Sequence, residues 1–284
     1  MKSPGELRRV LLPALPLAAF FVIFFVTPLV LLVGISFFAD TDLQRMGATQ
    51  YVKFFSDSFN VGILADTLLL GLEATVLCLV LVYPLALYYL QAGPLARTLL
   101  IFAIVLPLLT SAVVRTFAWI VILGREGIVN NAFLDLGLAA APLQLLYTKM
   151  GVVLALAQIQ LPLMALPVIN SLLRIDPNLR QASSGLGAGH WRTFALVLLP
   201  LSLPGMIAGA LLVFAASVTA FITQSLVGGG RLIFMPVYIY QQAVVLQNWP
   251  FAAAVSVLFT VAVLGIVAGV NQLARDRMGA LRVA

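Results

Sequence analysis

Lysine is almost missing from this chain. The three present are Lys2, Lys53 and Lys149, and none follows the glycine-rich G-x-x-x-x-G-K-[ST] loop that cradles nucleotide phosphates. The protein therefore has no ATPase site of that kind, and any work it performs on ATP passes through a partner. Cysteine and histidine are scarcer still: Cys78 and His190 each occur once, which excludes an internal disulfide and a Cys/His metal cluster, and His190 beside Gly189 reads as a solvated loop residue with no Ser/His/Asp set around it. No metal and no cofactor is expected. Charge of either sign is also rare, at 9% of 284 residues, against 62% hydrophobic residues and a mean hydropathy of +1.11. A soluble core cannot hide that much apolar surface, so lipid is the solvent for most of it.

What is present is a series of long apolar runs. Six spans are marked at 11–38, 63–91, 97–123, 148–173, 195–227 and 251–273. Each is long enough to cross about 30 Å of hydrocarbon at about 1.5 Å per residue. The expected fold class is an all-α integral membrane protein of six transmembrane helices, a single transmembrane domain over 1–284. Pro28, Pro84, Pro107, Pro162, Pro167, Pro200 and Pro204 lie in or at the ends of spans and predict kinks. The first span follows Lys2, Arg8 and Arg9 and has no convincing cleavage site; it reads as a retained signal-anchor helix.

The net charge of +6 sits at the ends of spans, without a basic run or RNA-binding signature, so nucleic acid is not expected as a partner. With the N-terminus in the cytoplasm, ten of the 16 Lys and Arg residues fall on the cytoplasmic side and five on the other, with Arg115 left inside a span. That asymmetry predicts both termini inside. It also puts the polar segment 174–195 in the cytoplasm.

That segment and its continuation read RIDPNLRQASSGLGAGHWRTFALVLLPLSLPG over 174–205. Asp176-Pro177 is a helix start, with Asp as cap and Pro in the first turn. Leu179, Ala182 and Leu186 form one apolar stripe. Gly185, Gly187 and Gly189 break the helix, and a second short helix through Trp191, Thr193 and Phe194 leads into the next span at Leu198-Leu199-Pro200.

The spacing resembles the EAA motif of bacterial ATP-binding-cassette (ABC) import permeases: Gln181-Ala182-Ser183, then Gly187, then Leu198-Leu199-Pro200. Residues 106–138 and the LVGGGR of 226–231 are similar to the polyamine type of that family. The resemblance implies a type I importer permease of the bacterial inner membrane, multi-pass, forming half of a translocation pathway. It also implies a second permease subunit, two ATP-binding cassette ATPase subunits that bind the ATP, an extracytoplasmic substrate-binding protein, and membrane lipid around the whole. Gln181, Ala182, Ser183, Gly187, Trp191 and Phe194 would form the coupling element that sits on the ATPase. Gln181 stands where the motif has Glu, so a neutral hydrogen bond replaces a carboxylate there. The cargo implied is a small cation such as spermidine or putrescine. An amino-acid derivative, an opine-like compound and ferric iron remain as alternatives, as does an ion-coupled secondary transporter. An intramembrane enzyme lacks its catalytic set.

Polar residues inside spans are the candidates for the pathway. Asp66 and Glu73 are seven residues apart, so one helix face carries both carboxylates at about 10.5 Å, a spacing suited to two ammonium groups of a linear polyamine. Glu73 reads as about 15 Å deep and Arg115 as about 12 Å. Their matching depth leaves two readings open: a Glu73–Arg115 pair that holds two helices together, or a Glu73 facing a cationic cargo. Trp119 adds cation–π surface, and Gln158 is a polar group at lipid depth.

Overall fold

The computed structural model describes residues 15–283, with side chains through Arg275. Residues 11–14 of the first span, and Lys2, Arg8, Arg9, Arg277 and Arg282 of the charge count, lie outside the described backbone or side chains. Among the described residues the secondary structure is helical, apart from one isolated bridge between Phe38 and Met46.

Five helices are long and apolar enough to cross a membrane: α1 (Leu15–Ser36), α3 (Ser58–Gln91), α7 (Lys149–Leu173), α9 (His190–Val218) and α12 (Trp249–Val283). Shorter helices connect them: α2 (Thr49–Ser56), α4 (Pro94–Val105), α5 (Ala112–Leu123), α6 (Ile128–Asp135), α8 (Pro177–Gly185), α10 (Phe221–Gly228) and α11 (Met235–Tyr240).

The expected third span over 97–123 is not one helix. After α4 a single 3-10 turn covers Leu106–Leu109, and Thr110 and Ser111 are extended, with ψ 147 and 138. The two halves are bent by 104°. Pro107 sits in the turn, but proline alone does not break the chain here: Pro162 and Pro167 both lie inside α7, which stays helical throughout. The fifth span also ends early, at Val218. Thr219 and Ala220 interrupt it, and α10 follows as a separate helix.

The packing forms two units. One runs to Val61 and takes in Tyr238–Val261. In it, Gln50 Nε2 donates to the carbonyl of Ala39 at 2.9 Å, the Ser36 and Tyr51 hydroxyls meet at 2.7 Å, and Lys53 lies 4.5 Å from the centre of the Phe251 ring. Burial, and after it the Asp57 carboxylate, push the Tyr238 phenol above its ordinary pKa. It stays protonated and donates to Asn60 Oδ1 at 2.5 Å.

The second unit holds Gly62–Val237 and the residues from Ala262 on. Here α3 and α7 run side by side in the same direction. Leu70 and Ala74 share a buried cluster with Val152 and Leu156, and Val82 and Ala86 share another with Val168 and Leu172. Helix α9 packs on α7 through glycine. A Cβ at Gly205 would lie 2.3 Å from Ser171 Cβ and 2.5 Å from the Pro167 carbonyl, and one at Gly209 would meet Met164 Sδ at 2.8 Å. Close backbone approach of this kind lets helices associate in lipid, where apolar burial alone gives no driving force.

Candidate functional site

The segment after α7 folds as two short helices. Asp176 caps α8, its carboxylate accepting from the backbone N–H of Asn178 at 2.9 Å, and Pro177 occupies the first turn. The C-terminus of α8 is closed by paired bonds: the Ala188 N–H donates to the Ser183 carbonyl at 3.1 Å and the Gly187 N–H to the Ser184 carbonyl at 3.0 Å. This is the Schellman arrangement, with Gly187 left-handed at φ 78. A Cβ at Gly187 would meet nothing within 4 Å, so within this chain the glycine serves its backbone angle, and close approach of another atom plays no part. Gly185 is the last residue of α8, and Gly189 is the extended residue before the next helix.

The Ser183 and Thr193 hydroxyls meet at 2.9 Å and tie the second short helix to the first. That second helix, His190–Thr193, runs through a π-turn at Phe194–Leu198 into the rest of α9. Phe194 faces inward, edge-on to Tyr83 at 5.5 Å, while Tyr83 shares a hydrogen bond with Ser202 at 2.8 Å. The apolar stripe does not turn inward with it. Leu186 is 89% exposed, Trp191 84% exposed, and Leu179 and Ala182 are also exposed. Apolar side chains on a polar segment are thus left facing outward. A cavity of about 870 Å³ opens between the end of α3, at Tyr83, Leu87 and Leu90, and the loop residues Arg180, Gln181, His190 and Trp191. Gln181 lines it with no hydrogen-bond partner among the described residues.

The intramembrane polar residues divide into two levels. Lys149 Nζ stands 2.9 Å from Glu73 Oε1, an ion pair with both side chains about one-third exposed, at 35% and 37%. Glu73 therefore does not pair with Arg115. The reason is height. Lys149 is the first residue of α7, and Arg115 Nη1 donates at 3.3 Å to the carbonyl of Ile159, ten residues further along that helix. At about 1.5 Å per residue the two charges are separated by about 15 Å along α7. Helix α3 begins at Ser58, earlier than the sequence reading allowed, and the ion pair sets Glu73 level with the first turn of α7.

Arg115 occupies the middle level. Trp119 Nε1 donates to Gln158 Oε1 at 3.0 Å beside it, which makes that tryptophan a hydrogen-bonded partner of α7. The Thr116 and Thr223 hydroxyls meet at 3.2 Å. Gln224 Nε2 donates to the carbonyls of Ser217 and Val218, at 2.8 and 3.2 Å, and so satisfies the broken end of α9. Among the described residues, the buried side-chain polar atoms left without a partner are Arg115 Nε, Ser217 Oγ and Gln224 Oε1. Thr223 and Gln224 escaped the sequence reading, although two adjacent polar residues late in an apolar run were a visible sign of a break.

Asp66 lies two helical turns before Glu73 on α3, exposed, and has no hydrogen bond or ion pair among the described residues. The structure thus brings together Glu73 with Lys149, and Arg115 with Trp119 and Gln158 as neighbours on α5 and α7; it does not join the two groups.

This architecture, six apolar segments with one of them bent, is that of the permease subunits of ABC importers. A solved transporter for the acidic polysaccharide alginate matches with a TM-score of 0.76 at 19% identity, covering 95% of this chain and 96% of that one. The alginate transporter in complex with its alginate-pentasaccharide-bound periplasmic protein matches with a TM-score of 0.74. No family model matches the chain. Curated relatives carry the identification further. The spermidine/putrescine transport system permease protein PotB of Haemophilus influenzae is 34% identical over 248 residues, 84% of this chain and 85% of that protein. PotB of Escherichia coli is 32% identical over 249 residues, 86% of this chain and 90% of that protein. The chain belongs to the PotB family of ABC importer permeases. It is a multi-pass inner-membrane transport subunit of an ABC importer. The ion-coupled secondary transporter weighed from the sequence is set aside by this membership.

Proposed function

We propose that the chain forms half of the translocation pathway of an importer for linear polyamines, spermidine and putrescine. The observation that carries this reading is the identity of 30 to 34% with PotB permeases over 84 to 94% of the chain. Two free or half-open carboxylates on one face of α3, Asp66 and Glu73, agree with a cationic cargo. The distribution of Lys and Arg supports a cytoplasmic position for both termini and the loop 174–195. The Lys149 end of α7, with Glu73, then faces outward, where cargo arrives from the substrate-binding protein.

On this reading two ATPase subunits bind and hydrolyse ATP, and a second permease subunit completes the pathway. Gln181, Ala182, Ser183, Gly187 and Trp191 form the surface that rests on one ATPase. Leu186 and Trp191 supply the exposed apolar contacts, and Phe194, packed on Tyr83, carries movement of the loop to α3. Closure of the ATPases on ATP switches two packed arrangements of the subunits and so alternates access. The experiment is isolation of the intact complex with its binding protein, followed by native mass spectrometry. A linear polyamine on the binding protein is expected. An amino-acid derivative, an opine-like compound or ferric iron in its place overturns the cargo assignment.

A further inference from the structure

Resting on that reading, the geometry points to Lys149 as a tethered competitor of the cargo: its ammonium occupies the Glu73 carboxylate until an ammonium of the polyamine displaces it. Four observations meet here. First, Lys149 Nζ lies 2.9 Å from Glu73 Oε1, and among the described residues this is the one ion pair. A primary alkylammonium on a flexible stem is the same chemical group as the end of a linear polyamine, so exchange replaces one ammonium–carboxylate contact with its like.

Second, the lysine stands where a cation is poorly placed. It is the first residue of α7, at the helix end that favours anions. Its own helix does not help to hold the charge, so the ammonium rests on the Glu73 carboxylate alone.

Third, the stem is anchored. Thr148 Oγ1 accepts from the Gly151 N–H at 3.2 Å, and a Cβ at Gly151 would lie 2.4 Å from the Leu145 carbonyl. The start of α7 is therefore fixed against the preceding chain, and the ammonium keeps a constant effective concentration at Glu73.

Fourth, the pair is open on one side. Both side chains are about one-third exposed, at 35% and 37%, and Glu73 borders the uncovered residues Leu69, Leu72 and Val76 of α3. Asp66, with no ion pair among the described residues, stands two turns nearer the start of the helix, where a cation arriving from that end meets it first.

A resident competitor has a use in transport. A dication held by two bare carboxylates would leave slowly. With Lys149 returning to Glu73, the carboxylate is repaid the moment the cargo moves on, and the site binds weakly enough to release.

The test is putrescine uptake by the complete complex, with binding protein and ATP, reconstituted in proteoliposomes. KM and maximal rate are compared for wild type, Lys149→Arg, Lys149→Gln and Glu73→Gln. Arginine pairs with carboxylate through two parallel bonds and is the stronger competitor, so KM is expected to fall in the order Arg, Lys, Gln. The fall from wild type to Lys149→Gln is about fivefold, with a lower maximal rate as release slows. KM equal across the three residues at 149, or raised by Lys149→Gln, overturns the inference. If Lys149→Gln does not assemble, Lys149→Arg decides alone, since a merely structural pair would leave its KM at the wild-type value. Glu73→Gln separates the two levels of the argument. A raised KM there with a flat series at 149 removes the competitor and keeps the polyamine-facing Glu73; an unchanged KM there removes both.

Discussion

Arg115 carries a guanidinium to about 15 Å from the start of α7, where Nη1 donates to the Ile159 carbonyl and, among the described residues, no carboxylate pairs with it. A charge at such depth costs at least about 2.5–3.5 kcal/mol if it faces lipid. Removing it leaves no orphaned acid behind, and it is the orphan that makes deletion of half an ion pair so damaging. Arg115→Met is therefore expected to co-purify with the rest of the complex at wild-type yield and to unfold at or above the wild-type temperature. Loss of assembly would show that the guanidinium holds α5 to α7. Gly187 poses the opposite case. Its φ of 78 disfavours a side chain by about 1–2 kcal/mol whatever the surrounding space. Gly187→Val is expected to uncouple ATP hydrolysis from uptake by distorting the end of α8, and Gly187→Asn to keep most of the coupling, since Asn tolerates the left-handed region. Equal coupling in both variants would contradict a backbone role. The need for a helix-breaking glycine at 187 was legible in the sequence; its left-handed angle and the paired bonds from Gly187 and Ala188 give that break its form.

Helices place these residues, and their contacts set the next scale. Gly205 and Gly209 let α9 lie against the backbone of α7, with Pro167 O and Ser171 Cβ in the way of any added carbon at 205. Gly205→Val is expected to destabilise the subunit by about 1–3 kcal/mol in thermal unfolding. Gly265→Ala, inside α12 where an added Cβ meets nothing within 4 Å, should be neutral or stabilising by up to about 1 kcal/mol. Equal effects would mean that α7 and α9 do not pack as described. Helix starts were readable where a side chain announces them: Asp176-Pro177 caps α8 as its sequence says. Breaks were not. The Leu-Pro pairs at 161–162, 166–167, 199–200 and 203–204 lie in continuous helix, and the one at 106–107 accompanies a bend of 104°, because two extended residues follow it. Proline signals a kink in the local chain, and the packing of neighbouring helices decides whether the chain turns. The partner of Glu73 was hidden for a related reason. Finding Lys149 requires the relative heights of α3 and α7, which follow from where each helix begins and from the side-by-side packing of 70–86 on 152–172.

At the scale of the whole molecule, large apolar surfaces are left for lipid and for other subunits. None of the most apolar stretch of α1 is buried within the chain, and the loop at 174–195 presents Leu186 and Trp191 outward. The architecture is shared with a permease that serves an acidic polysaccharide, so fold alone sets neither the sign nor the size of the cargo. For this chain the proposed positive sign rests on Asp66 and Glu73 and on the PotB relatives. Dependence on partners rests on the missing phosphate loop and the outward apolar loop. The account is tested most directly by putrescine uptake into proteoliposomes, with this chain either alone or reconstituted with its second permease, ATPases and binding protein. Uptake only by the complete complex, and only with ATP, is the predicted result; uptake by this chain alone, without ATP, would contradict it.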